Sequence, residues 1–180
     1  MADDIVTTGT RIVYENRWMR LREDGIVLRD GSTGIYGVVE KSDFVIVAAF
    51  EAGRLHLVEQ FRYPVRGRYW ELPQGASEQS PGADPLDVAR AELREETGIE
   101  ADHLTHAGSL FLAYGFATPR SHVFLATGLH QGAAAPEHTE QDMIARAFDL
   151  AEVERMIRDG VIRDASTVAA LGLLRLKGML

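Results

Sequence analysis

Hydrophobic and polar positions along this chain follow two periods. In the first third, apolar and β-branched residues alternate with polar ones, so residues 10–14, 19–28 and 34–40 read as strands, with Asp30-Gly31 as a hairpin signal between the last two. Residues 44–50 are apolar almost throughout, the pattern of a strand buried on both faces, and Glu51-Ala52-Gly53 turns the chain back into a partner strand over 55–61. From residue 85 the period becomes helical: Leu86, Ala89, Leu93 and Thr97 fall on one stripe that can face a core while the glutamates point elsewhere. Asp84 is placed to cap this helix, Pro85 suits its first position, Asp87 favours the positive end of its dipole and Gly98 supplies a left-handed stop. Strands follow near 108–113, 122–127 and 143–148, and helices over 150–159, stopped by Gly160, and over 166–177. The pattern predicts an α/β fold in which helices flank a mixed sheet, with residues 1–41 as a small N-terminal antiparallel β-sheet subdomain and 42–180 as the main domain.

Composition narrows the class of protein. A chain of 180 residues, 46% of them hydrophobic, buries a substantial core in one domain or in one domain with a small appendage. No run approaches the length of a membrane span, and Met1-Ala2-Asp3-Asp4 lacks the basic and apolar regions of a secretion signal, so no membrane partner is expected. Cysteine is absent, which excludes disulfides and thiolate metal sites and makes the cytoplasm the expected compartment. A net charge of −8 argues against a stable nucleic-acid partner, because neutralising many backbone phosphates takes a basic surface.

The chemistry is concentrated in Glu92-Leu93-Arg94-Glu95-Glu96-Thr97-Gly98. At about 100° per residue, Glu92, Glu95 and Glu96 fall within an arc of about 100°, so their carboxylates can share one patch. Two readings compete, a solvated acidic helix face and an oxygen-rich site for Mg²⁺ or Mn²⁺. Hard cations of that kind take one or two carboxylates and leave positions for water and substrate phosphates. Glu92 and Glu96, four apart and nearly in register, are the expected direct ligands, with Glu95 completing the site or accepting a proton. Upstream, Tyr69-Trp70 reads as the end of a strand that enters the tight loop Leu72-Pro73-Gln74-Gly75. The local order is therefore strand, glycine loop, acidic helix.

That order, with these residues, resembles the Nudix hydrolase family. Gly75 stands as the opening glycine of the family signature, and Glu92, Leu93, Glu95, Glu96, Gly98 and Ile99 match its second half position by position. There are two departures. The stretch from Gly75 to Glu92 is two residues longer than the signature, which places Ala83 or Asp84 where its first glutamate stands, and the signature arginine is replaced by Ala91, with Arg90 and Arg94 as its nearest substitutes. Gln60-Phe61-Arg62-Tyr63-Pro64 and Glu71-Leu72-Pro73 extend the likeness to the ADP-ribose and nucleoside-diphosphate-sugar pyrophosphatase branch over about residues 10 to 175.

The resemblance implies a Nudix-type α/β/α sandwich, a homodimer built through the N-terminal sheet, a small-molecule nucleotide substrate and a metal ligand from a backbone carbonyl at Gln74 or Gly75. It also implies an acidic general base, either on the helix or on a later loop, where Glu140 stands with Glu137 and Asp142. For the substrate, Arg62 is either a phosphate ligand or a structural salt bridge. Trp18, Tyr36 and Trp70 are stacking candidates or core aromatics. Tyr114 occupies the place of a proline that ADP-ribose hydrolases tend to carry, and a tyrosine in this region is associated with dinucleoside polyphosphate hydrolases. Of six histidines, only His103 and His106 lie at metal-ligand spacing, on a predicted turn where solvent exposure is the simpler reading. Three functions remain in view: an ADP-sugar pyrophosphatase, a dinucleoside polyphosphate or RNA-cap pyrophosphohydrolase, and a catalytically weak nucleotide sensor.

Overall fold

A computed structural model describes residues 4–76, 82–132 and 142–180. They divide into two units, Met1–Asp43 with Phe111–Arg120, and Phe44–Leu110 with Ser121–Leu180.

The first unit is an antiparallel meander of β1 (Ile5–Glu15), β2 (Arg20–Leu28) and β3 (Thr33–Glu40). Asn16 makes the first turn by accepting from the amides of Trp18 and Met19 at 2.8 and 2.9 Å, and Gly31, at φ 82°, makes the second. The amide of Val39 donates to Phe116 O and that of Thr118 to Val39 O, which ties β3 to the 111–120 segment. Strand β1 begins five residues before the span expected from sequence and bulges between Thr7 and Gly9 and between Ile12 and Tyr14. Every residue of β1 is exposed, Ile5, Val6, Ile12, Val13 and Tyr14 included.

The second unit is built on β4 (Phe44–Glu51). It turns through Ala52-Gly53, both at positive φ, into β5 (Arg54–Arg62), as the sequence predicted. A short 3₁₀ turn at Tyr63–Val65 leads to β6 (Gly67–Glu71) and β7 (Gln74–Gly75). After α1 (Pro85–Thr97) come β8 (Ile99–Phe111), β9 (Arg120–Gln131), β10 (Ile144–Asp149), α2 (Leu150–Arg158) and α3 (Ala165–Leu176). The sheet is mixed, in the order β10-β5-β4-β9-β8, with β6 on β5 and β7 on β4; β4 and β9 run parallel. Alternation along β4 explains its unbroken apolar run. Ile46 and Ala48 pack with Val153, Leu171 and Leu174 beneath α2 and α3, whereas Val45, Val47 and Ala49 pack with Ala89 and Leu93 of α1. Two helical layers thus sandwich the sheet, the fold class predicted from sequence.

Helix α1 has the ends read from sequence: Asp84 accepts from Leu86 N at 2.9 Å, and Gly98 sits at φ 72° with its amide on Arg94 O at 2.8 Å. Its buried face differs from the expected stripe at two positions, Leu86, which is only partly buried, and Glu96. Glu96 is buried along with Ala89, Leu93 and Thr97, so the glutamates do not all point away from the interior. Strand β8 starts directly after the helix rather than near 108, because Ile99 and Ala101 supply inward apolar positions between polar outward ones. His103 and His106 consequently lie on a strand, not on a turn. No helix among the described residues is long and apolar enough to cross a membrane.

Candidate active site

The loop from β6 to β7 is fixed by four hydrogen bonds and by the pairing of β7 with β4. Val47 N donates to Pro73 O at 2.9 Å, and β7 then pairs Gly75 with Val45 and Gln74 with Ile46. From the α3 side, the fully buried Thr167 hydroxyl accepts from Leu72 N at 2.9 Å, while Asp164, which caps α3 through the amides of Ser166 and Thr167, accepts from Gln74 Nε2 at 3.2 Å. From the other side, Glu96 Oε2 accepts from Gln74 N at 3.2 Å.

Glu92 reaches the same loop one residue further on. A Cβ built on Gly75 would lie 2.3 Å from the Glu92 carboxyl carbon, so only glycine leaves the carboxylate its place. Glu92 and Glu96 therefore meet the backbone of Gln74-Gly75, as their spacing of four predicts. Glu95 is half-buried on the flank of that pair. Among the described residues, no three acidic or histidine side chains are gathered to hold a metal, so the site consists of two carboxylates and a backbone. Such an all-oxygen, anionic donor set beside a glycine cradle fits a hard dication and not a thiolate or imidazole metal. The Gln74 amide is turned to Asp164, so a ligand from this residue would be its carbonyl.

Beneath the loop lies a buried acid that the sequence did not reveal. Glu71 is 2% exposed; it accepts from Gln60 Nε2 at 2.9 Å and from Arg62 Nε at 3.1 Å, and Arg62 Nη2 makes a second, close contact. Burial pushes its pKa above the ordinary carboxylate value and outweighs the lowering by Arg62, while Asp164 adds to the rise. Arg62 makes the ion pair of its structural reading, with Glu71, while its side chain stays 40% exposed. Asp142 pairs with Arg68 at the surface. Trp70 packs edge-on against Phe148 at 4.8 Å in the core, the structural reading for that aromatic. Arg90 donates to Ala101 O at 3.1 Å, an anchor to β8. Trp18, Tyr36 and Tyr114 are exposed in the first unit, where Arg17 stacks on Trp18 and Tyr36 OH donates to Gly115 O. Glu137 and Glu140 lie outside the described residues, as does most of the loop between Gly75 and Asp84. Of the partners that hold the loop, Asp164 had a sequence signal as a helix cap, but its reach to Gln74 spans 90 positions and had none.

A strand, a glycine loop and a helix whose glutamates return to that loop define a class: the chain belongs to the Nudix family and is a pyrophosphohydrolase, the NUDIX domain matching residues 40–171. Its branch follows from the N-terminal sheet, where residues 5–39 match the nucleoside diphosphate sugar hydrolase N-terminal domain. An ADP-ribose pyrophosphatase of Mycobacterium tuberculosis is 32% identical over 93% of this chain and 82% of its own. A methanol dehydrogenase activator of Bacillus methanolicus is 30% identical over 95% and 92%. A solved structure described as an ADP compounds hydrolase superposes with a TM-score of 0.85 at 18% identity, covering 99% of this chain and 98% of that one, which shows the shared fold.

Proposed function

We propose that the protein hydrolyses the pyrophosphate bond of an ADP-sugar such as ADP-ribose, releasing a nucleoside monophosphate and a sugar phosphate, with Mg²⁺ or Mn²⁺ as cofactor. The observation that carries this reading is the meeting of Glu92 and Glu96 with the Gln74-Gly75 backbone. Full-length similarity to an ADP-ribose pyrophosphatase supports the substrate class. Glu92, Glu96 and a carbonyl at Gln74 or Gly75 would hold the ion. When bound, a divalent cation offsets the charge of the diphosphate and acidifies water. Glu95 or Glu140 takes the proton of the attacking water, and the pair Arg62–Glu71 keeps the loop in place. The exposed rings of Trp18, Tyr36 and Tyr114 are the candidates for stacking on the nucleobase.

The exposed strand β1, with Ile5, Val6, Ile12, Val13 and Tyr14 on its surface, suits a second copy of this chain as its cover, since a long edge with exposed apolar residues left bare invites uncontrolled pairing. Light scattering on the eluted protein should give a dimer mass, and a monomer would remove the dimer from the reading. Substrate choice is tested by incubation with ADP-ribose, ADP-glucose, GDP-mannose and diadenosine polyphosphates in Mg²⁺, followed by identification of the nucleotides released. Preferred cleavage of a diadenosine polyphosphate would shift the reading to the class that Tyr114 suggests. Binding of one compound with turnover of none would make this chain, with Ala91 in place of the signature arginine, a sensor. Glu96→Gln should lower turnover by roughly a thousandfold or more with the fold kept, and Glu140→Gln tests the loop base separately. An unchanged rate in either variant removes that residue from the mechanism.

A further inference from the structure

Gln74 is braced by helices on both faces of the sheet. Its backbone N–H donates to Glu96 Oε2 of α1 at 3.2 Å, and its side-chain Nε2 donates to Asp164 Oδ2 at the start of α3, again at 3.2 Å. The strand that carries it is two residues long, with Gln74 opposite Ile46 and Gly75 opposite Val45. Ordinary strands run to about three to ten residues, so so short a ladder does little to fix how its own backbone is turned. The two helix contacts must supply that stiffness. Gln74 and Asp164 are both only partly buried, and water would satisfy their polar atoms if they were parted. What the bond between them adds is therefore orientation.

Asp164 divides its oxygens unequally. Oδ2 accepts from the Thr167 amide at 2.7 Å as well as from Gln74 Nε2, while Oδ1 takes only the longer contact from the Ser166 amide at 3.4 Å. One oxygen thus belongs to the helix end and to the loop together. Capping alone does not call for aspartate, because serine and asparagine start a helix about as well. The difference between them is reach. A carboxylate or carboxamide oxygen stands one atom further from the backbone than a serine hydroxyl, so Asp and Asn can hold both α3 and Gln74, whereas Ser can hold only α3.

We propose that Asp164 is a positioning residue for the cation: by holding Gln74 Nε2 it fixes the Gln74-Gly75 backbone, which offers its carbonyl beside Glu92 and Glu96. This rests on the carboxylate site proposed above. The test is titration of the whole, chelator-treated protein with Mn²⁺, the free ion being read by electron paramagnetic resonance, which needs no turnover. Gln74→Met keeps the length of the side chain without its donor, and Asp164→Ser keeps the cap without the reach. Each should raise the Mn²⁺ Kd by roughly tenfold, and the double variant should be no weaker than either single one, since both remove the same bond. Asp164→Asn should bind Mn²⁺ nearly as the parent does. That result separates anchoring from charge, because Asn removes the negative charge as completely as Ser. The urea midpoint of Asp164→Ser should stay close to the parent's, and Gln74→Met decides the matter if it does not. Parent-like Mn²⁺ binding in Gln74→Met, additive losses in the double variant, or Asp164→Asn as weak as Asp164→Ser would each overturn the proposal. Glu96→Gln should lose binding and tells two failures apart. No binding by the parent, or unchanged binding in Glu96→Gln, removes the carboxylate site and this proposal with it, whereas loss there beside parent-like binding in Gln74→Met removes the anchor alone.

Discussion

Replacing Gly75 by alanine separates the function of the loop from its stability. The new Cβ would lie 2.3 Å from the Glu92 carboxyl carbon, where ordinary contacts begin at 3.4 Å, so the carboxylate must retreat by about 1.1 Å. The backbone does not resist the change, since Gly75 is not among the glycines at positive φ. The atom met is the far end of a flexible side chain, which can swing away without disturbing the core. The folded state therefore loses little, and the smaller entropy of the unfolded alanine chain contributes about 0.4 to 1 kcal/mol in the opposite direction. Catalysis is less forgiving: a misplacement of about 1 Å in a positioned group costs on the order of a hundredfold, or about 2.7 kcal/mol of barrier. We expect a thermal midpoint equal to or slightly above that of the parent and kcat/KM on ADP-ribose lower by about two orders of magnitude. If Glu92 transmits the loss, Gly75→Ala combined with Glu92→Ala should be no worse than Glu92→Ala alone. Full activity in Gly75→Ala, or a loss matched by unfolding, would refute the reasoning.

Thr167→Val removes the acceptor for the buried Leu72 amide and should cost about 1 to 3 kcal/mol in urea unfolding; Thr167→Ser should restore most of it, and equal stabilities for all three proteins would show that the contact carries no weight. Glu71 gives a pH signature. Because its folded pKa is raised above the unfolded value, the folded protein holds a proton that the unfolded chain has already released. Its contribution to stability is therefore greatest below the ordinary carboxylate range and falls as pH rises through the raised value. Unfolding of the parent and of Glu71→Gln at stepped pH should show that fall in the parent alone, and a relative rise through the same window would contradict it.

Residue patterns carried the fold wherever the reason for an element was local. Asp84, Pro85 and Gly98 set the ends of α1 with their own side chain or backbone, and the Ala52-Gly53 turn needs only two residues that tolerate positive φ. The strand over 44–50 was legible because burial on both faces removes every polar position. The start of β8 was not. Its inward side chains change core partway along, from the α1 side at Ile99 and Ala101 to the α3 side at Ala107, so no single period runs through it. Pairing across strands was likewise beyond a one-dimensional pattern: His106 meets His122 of β9 rather than His103 of its own strand.

The candidate site divides along the same line. Glu92 and Glu96 could be paired from sequence because a helix fixes the angle between residues four apart, whatever the rest of the chain does. What those carboxylates face depends on contacts across the fold: α3 holds Leu72 and Gln74 through Thr167 and Asp164, and the ion pair of Arg62 with the buried Glu71 ties β5 to the end of β6 just before the loop. These partners lie up to 95 positions apart, and nothing in a one-dimensional pattern distinguishes Thr167 from any other threonine in the first turn of a helix. The glutamates therefore reveal the chemistry of the site, whereas its geometry is set by ordinary residues whose importance only their burial discloses. It follows that Glu71 and Thr167 should govern how tightly the loop is held even though neither needs to touch the substrate.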